Sequence, residues 1–185
     1  MLARLGLLAL AATASPSGCS QIFGDGRMDA HHPGTDLGSF QVTATVTANT
    51  CGAGALGEQS PWAFSVQLAR DPGALYWNNG QAVITGSLAG DSVTFGFDTS
   101  VVENMRNPNV VGPPPCSMDR HDTASGTLGA ATGAVSSFSG QLSYQFAPTA
   151  GSNCDDLVNG DAPLVAQLPC GFTYQMTGTG TAKTP

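Results

Sequence analysis

The sequence predicts an all-β domain: an antiparallel sheet, either an up-and-down barrel or a two-sheet β-sandwich, stapled by disulfides. Three observations point there. Apolar residues recur at every second position in several segments, and Asp, Asn, Gly and Pro punctuate the intervals between them. Charged residues make up only 10% of the chain while glycines number 24. Period-two alternation gives a strand one apolar and one polar face. The punctuating residues are those that turns require. A charged fraction well below the ~25% of ordinary soluble domains suits a hydroxyl-rich β-protein. Evenly spaced aromatic and β-branched residues beyond Leu37 supply surface to bury, which argues against a disordered chain.

The 185 residues fit one domain, preceded by two export-related segments. Residues Met1 to Gly18 read as a signal peptide, with Arg4 as the basic end and Leu5 to Ala14 as the apolar run. That run is shorter than the ~20 residues a transmembrane helix needs. Ala12-Thr13-Ala14 matches ordinary secretory cleavage, which would release a soluble protein beginning at Ser15. Pro16-Ser17-Gly18-Cys19 resembles the lipobox of bacterial lipoproteins, departing from it at Pro16, where that family carries an aliphatic residue.

The lipobox resemblance implies diacylglycerol on the Cys19 thiol and a further acyl chain, such as palmitate, on its freed amine. Ser20, where an inner-membrane protein would carry Asp, implies the outer membrane. Through Met1–Ser20 the chain resembles uncharacterised lipoproteins of Gram-negative bacteria. Cysteine parity agrees: of Cys19, Cys51, Cys116, Cys154 and Cys170, one bearing lipid leaves four that can pair completely. Residues 19–36 then form the lipidated cysteine and a flexible tether containing Gly24, Gly26, Pro33 and Gly34. A coil of that length spans about 20–25 Å.

The domain occupies 37–185. Phe40, Val42, Ala44 and Val46 alternate with Gln41, Thr43, Thr45 and Thr47 in a first strand; Trp62, Phe64, Val66 and Leu68 mark a second. Asp71-Pro72-Gly73 is a turn, followed by the aromatic run Leu75-Tyr76-Trp77. Asn78-Asn79-Gly80 predicts a two-residue type I′ hairpin. Val83–Leu88 and Val93–Phe97 follow, joined through Ala89-Gly90-Asp91. Glu103 to Pro115 reads as a surface excursion ending in three prolines. Strands resume near Arg120–Leu128, Phe138–Phe146 and Phe172–Met176, with no helical window. Cys154 and Cys170 bracket a polar loop with little to bury, so their pairing, with Cys51–Cys116 as the second bridge, is the expected connectivity; the other two pairings remain open.

No Lys/Arg cluster exists, and the formal charge is −7, so nucleic-acid binding is excluded as a partner class. The polar cluster Asp119-Arg120-His121-Asp122, with Ser125, lacks a nucleophile elbow, and residues 121 and 122 of a strand face opposite ways. No catalytic site is expected. Asn153, Asp155, Asp156, Asn159 and Asp161 lack the spacing of a calcium loop, adjacent His31-His32 do not readily chelate one ion, and neither a metal nor a cofactor is expected. Trp62, Tyr76 and Trp77 are core candidates before they are a stacking platform. The expected function is therefore a non-enzymatic binding or interaction module on a lipid anchor, with an unknown protein or small-molecule ligand. The alternative is a lipocalin-like carrier of a small apolar molecule, although no lipocalin signature surrounds Trp62.

Overall fold

A computed structural model describes residues 33–80, 82–106 and 114–181. The expected signal peptide (Met1 to Gly18), the expected lipid-bearing Cys19, most of the expected tether and the His31-His32 pair lie outside the described residues. Eight strands run in sequence order: β1 (Thr35–Asn49), β2 (Trp62–Asp71), β3 (Ala74–Asn78), β4 (Val83–Leu88), β5 (Thr94–Asn104), β6 (Ser117–Leu128), β7 (Ser137–Pro148) and β8 (Cys170–Gly180). Each pairs antiparallel with its successor, and β8 returns to β1, closing the barrel. Of the two architectures left open by alternation, closure wins; it leaves each strand neighbours on both sides.

The alternating faces fall as the sequence requires. Phe40, Val42 and Ala44 of β1 point inward, as do Phe64, Val66 and Leu68 of β2, while Gln41, Thr43 and Thr45 are exposed. Inside, Phe40, Trp77, Phe95, Phe97 and Phe138 interlock at centroid separations of 5.5–6.0 Å. Toward the other end, Trp62, Tyr144, Phe146, Phe172 and Tyr174 do the same. An apolar interior under a hydroxyl-rich outer wall is the inverse of a barrel that spans a membrane. Among the described residues no helix is long and apolar enough to cross one.

Strand limits differ from the sequence expectations in instructive places. β1 begins at Thr35, inside the expected tether. β5 runs past Phe97 to Asn104, taking in the first two residues of the expected excursion, and β6 starts at Ser117, three residues before the expected strand; eleven consecutive residue pairs from Thr94↔Thr127 to Asn104↔Ser117 hold the two together. A short helix, α1 (Asp155–Asn159), sits in the last long loop, too brief to show a periodicity. Pro72-Gly73 turns as expected, with Gly73 at φ 80°. The β3–β4 turn is not a type I′ turn centred on Asn79-Gly80. The Asn79-Gly80 pair does not supply its two central residues: Gly80 has φ 86° but Asn79 is not at positive φ, whereas type I′ needs both central residues there. The loop closes instead through Asn79 N–H to the Ala82 carbonyl at 3.3 Å. The Asn78 and Asn79 side chains accept from the N–H groups of Gly80 and Ala82 at 2.8 and 2.9 Å.

The expected disulfide pairing is overturned. Cys51 bonds Cys170 and Cys116 bonds Cys154, with Cα separations of 4.9 and 5.1 Å. The barrel's closure explains this. Asn49 of β1 lies opposite Phe172 of β8, which brings Cys51, just past the end of β1, against Cys170 at the start of β8. Cys116 immediately precedes β6, and Met118 lies opposite Pro148, so Cys116 meets Cys154 just past β7. The polar 154–170 loop is stapled after all, but at its two ends to different neighbours.

The barrel thus has two unlike ends. The start of β1, the end of β8, the 72–73 and 89–93 turns and the 129–136 link share one; the 50–61 loop, the end of β5, the start of β6, the 149–169 loop, the short β3–β4 turn and both disulfides share the other.

Candidate functional site

Burial and alternation divide the polar cluster of β6 between the two faces of the wall. Arg120 and Asp122 are 1% exposed and point inward. The Arg120 Nε donates to both Asp122 carboxylate oxygens at 3.0 and 3.1 Å, and its Nη1 donates to Glu103 Oε1 of β5 at 2.7 Å. A guanidinium fork suits such an arrangement, because it satisfies two carboxylates at once. Burial pushes the Asp122 carboxyl up to about 6, an effect the neighbouring Arg120 charge only partly offsets. His121 lies on the outer wall, its Nε2 2.9 Å from Asp98 Oδ1. Ser125 is exposed on that same outer face. Histidine and serine are therefore separated from Arg120 and Asp122 by the sheet itself, and the four do not converge.

Glu103 is the member of the buried network that the sequence reading missed, having been assigned to an irregular excursion. The signal was present: Thr99, Val101 and Glu103 continue the phase of Phe95 and Phe97. Placing an acid on that face was what obscured it.

The loop end is held by more than its disulfides. Arg106 Nη1 and Nη2 each donate to Asp156 at 2.7 Å, while Nη2 also reaches the Asn153 carbonyl at 3.0 Å and Nε the Pro114 carbonyl at 2.9 Å. One guanidinium thus ties the exit of β5 to the loop carrying α1, and it holds the Asp156 carboxyl below its ordinary value. The Asn153 side chain accepts from Asp155 N–H at 3.1 Å. Of the residues considered for calcium, Asn153 and Asp156 have side chains engaged with the loop and with Arg106, and no group of three or more His, Cys, Asp or Glu among the described residues is placed to hold a metal ion.

The three aromatics considered as a platform do not share a face. Trp77 is 1% exposed inside the barrel. Trp62 is half-buried against Phe64 at the loop end, at a centroid separation of 4.7 Å. Tyr76 points outward, donating to Asp71 Oδ2 at 3.2 Å. Trp62, Tyr144, Phe172 and Tyr174 line a cavity of about 70 Å³ beneath Gly57 and Gln59. Drug-sized ligands occupy roughly 300–1,000 Å³. The larger hollows lie elsewhere: a groove of about 660 Å³ on the outer wall bordered by Thr85, Gly86, Gly96, Asp98 and Ser125, one of about 460 Å³ at the barrel end among Leu37, Val135 and Gly180, and one of about 430 Å³ between residues 51–55 and 163–166.

Comparison with known protein families, curated proteins and solved structures finds no match to this chain. The functional reading therefore rests on its own residues.

Proposed function

We propose that this chain is an exported bacterial lipoprotein, anchored to the outer membrane through an acylated Cys19, whose β-barrel is a non-enzymatic interaction module. One observation carries the reading. All four cysteines of the barrel are consumed by two mutual disulfides, so Cys19 is the remaining cysteine of the five in the sequence. Disulfides belong to oxidising compartments, where an odd thiol calls for an explanation; lipid on Cys19 provides one. The tether enters the barrel at Thr35, at the end of short turns, so the disulfide-clipped loops point away from the anchor.

Packing inside the barrel weighs against the carrier alternative: among the described residues, aromatic side chains meet across the interior, and the cavity that Trp62, Tyr144, Phe172 and Tyr174 line, about 70 Å³, is far below the roughly 300 Å³ a small-molecule ligand needs. Intact-mass measurement of the native mature protein tests the anchor. A mass matching a chain that begins at acylated Cys19 with four oxidised cysteines is the expected result. An unacylated chain beginning at Ser15 overturns it.

A further inference from the structure

The barrel is closed, but its wall is not paired evenly. β4 and β5 share only two residue pairs, Ser87↔Gly96 and Leu88↔Phe95, whereas β5 and β6 pair along the whole length of β5. The two strands part above Gly86, where the Phe97 ring lies against the glycine's α-carbon and leaves no room for a side chain. From Asp98 onward, β5 has one ladder partner among the described residues, β6.

Hydrogen-bond polarity identifies the groups left facing the seam. The Thr94 and Gly96 carbonyls accept from the β4 side, from Ala89 N–H at 2.8 Å and Ser87 Oγ at 3.2 Å. Val93 O and Met105 N bond toward β6 instead, at 2.9 Å each. Backbone groups alternate sides along an antiparallel strand, so the even-numbered residues through Ser100, Val102 and Asn104 present N–H and C=O to the seam. All three are exposed. Val102, 64% exposed, is the most exposed large apolar residue among those described, and it sits in the middle of this edge.

We propose that an extended segment of a partner protein, aliphatic on one face and basic on the other, adds as a strand to the β5 edge between Asp98 and Asn104. Strand addition to an unpaired edge takes its affinity from main-chain hydrogen bonds and its specificity from alternate side chains. The inner face of the added strand meets half-buried Val101 and Ile84, which favour aliphatic residues. Its outer face runs beside Asp98 and Val102, on a chain of formal charge −7; a lysine offers an ammonium to the carboxylate and a hydrocarbon stem to the valine. A second copy fits less well. It brings the same negative charge, and antiparallel pairing of two β5 edges sends the two tethers to opposite ends of the dimer.

This surface deepens the interaction-module reading and rests on it, but not on the anchor. The test titrates a fluorescent peptide of alternating lysine and valine into the native mature protein and follows anisotropy. Saturable binding is expected, weakened at least about tenfold by Val102→Pro. Proline at a solvent-facing edge position removes the donor without breaking the β6 ladder, and Ser100→Pro provides an independent second variant. Methylating every second amide of the peptide, with charge and side chains kept, is expected to abolish binding; this arm needs no variant of the protein. Absence of saturable binding, equal binding of the methylated peptide, or a dimer of the protein that Val102→Pro dissolves each overturns the proposal. Acylation read by mass on the same sample separates the two ideas: an acylated protein that ignores the peptide sinks the edge alone, and an unacylated one that binds sinks the anchor alone.

Discussion

At the end of the barrel where β1 begins, strands are joined by short links such as Pro72-Gly73, and the aromatic cluster of Phe40, Trp77, Phe95, Phe97 and Phe138 fills the space between them. At the other end three of the four links are long, the interior takes in the Arg120, Asp122 and Glu103 charges, and two disulfides with the Arg106–Asp156 pair hold those loops. The contrast shows two ways to fix a chain. Short turns cost little entropy and need only apolar burial, whereas long loops bury too little to repay their ordering and require covalent or ionic ties.

The comparison breaks most visibly if the staples are removed. Replacing Cys51 and Cys170 by alanine is expected to destabilise the protein by about 5 kcal/mol in the chain-entropy picture, and the 116–154 pair by about 4, both read from urea midpoints. A loss near zero would mean that the loops are held by packing after all. At the end where β1 begins, Phe138→Ala is expected to cost about 3–5 kcal/mol by opening a cavity among its aromatic neighbours, with the disulfides still formed by mass.

The buried charges sharpen the contrast through pH. The Asp122 carboxyl titrates near 6 when folded, above its unfolded value, so the folded state takes up the proton more readily. Its contribution therefore makes the protein more stable as pH falls through about 6, by about 1 kcal/mol between pH 7.5 and 5. Urea titrations at those two pH values should show this component in the parent and lose it in Asp122→Asn; identical pH dependence in the two would refute the assignment. The smallest effect is expected on the outer wall, where His121→Ala removes an exposed contact to Asp98 and should leave the midpoint nearly unchanged.

Much of the barrel was legible from alternation alone. Phe40 to Ala48, Trp62 to Leu68 and Phe138 to Phe146 each announced a strand and its buried face, because a side-chain period of two is a local property. The opposite facing of His121 and Asp122 followed from the same rule. The upper half of β5 did not announce itself: Glu103 breaks the apolar phase, and what compensates it is Arg120, on another strand. The Asn78-Asn79-Gly80 turn was located but mistyped, since the asparagine side chains close it in a way that dipeptide preference does not reveal.

The sequence by itself determined the fold class, the inward residues and the number of cysteines to be paired, all of which depend on neighbours within a few positions. Tertiary structure alone decided which cysteines meet, which charges share the interior and where, among the described residues, the β4–β5 ladder stops. Those follow from bringing β8 beside β1 and from the register of strands distant in the chain, contacts whose partners local spacing does not encode.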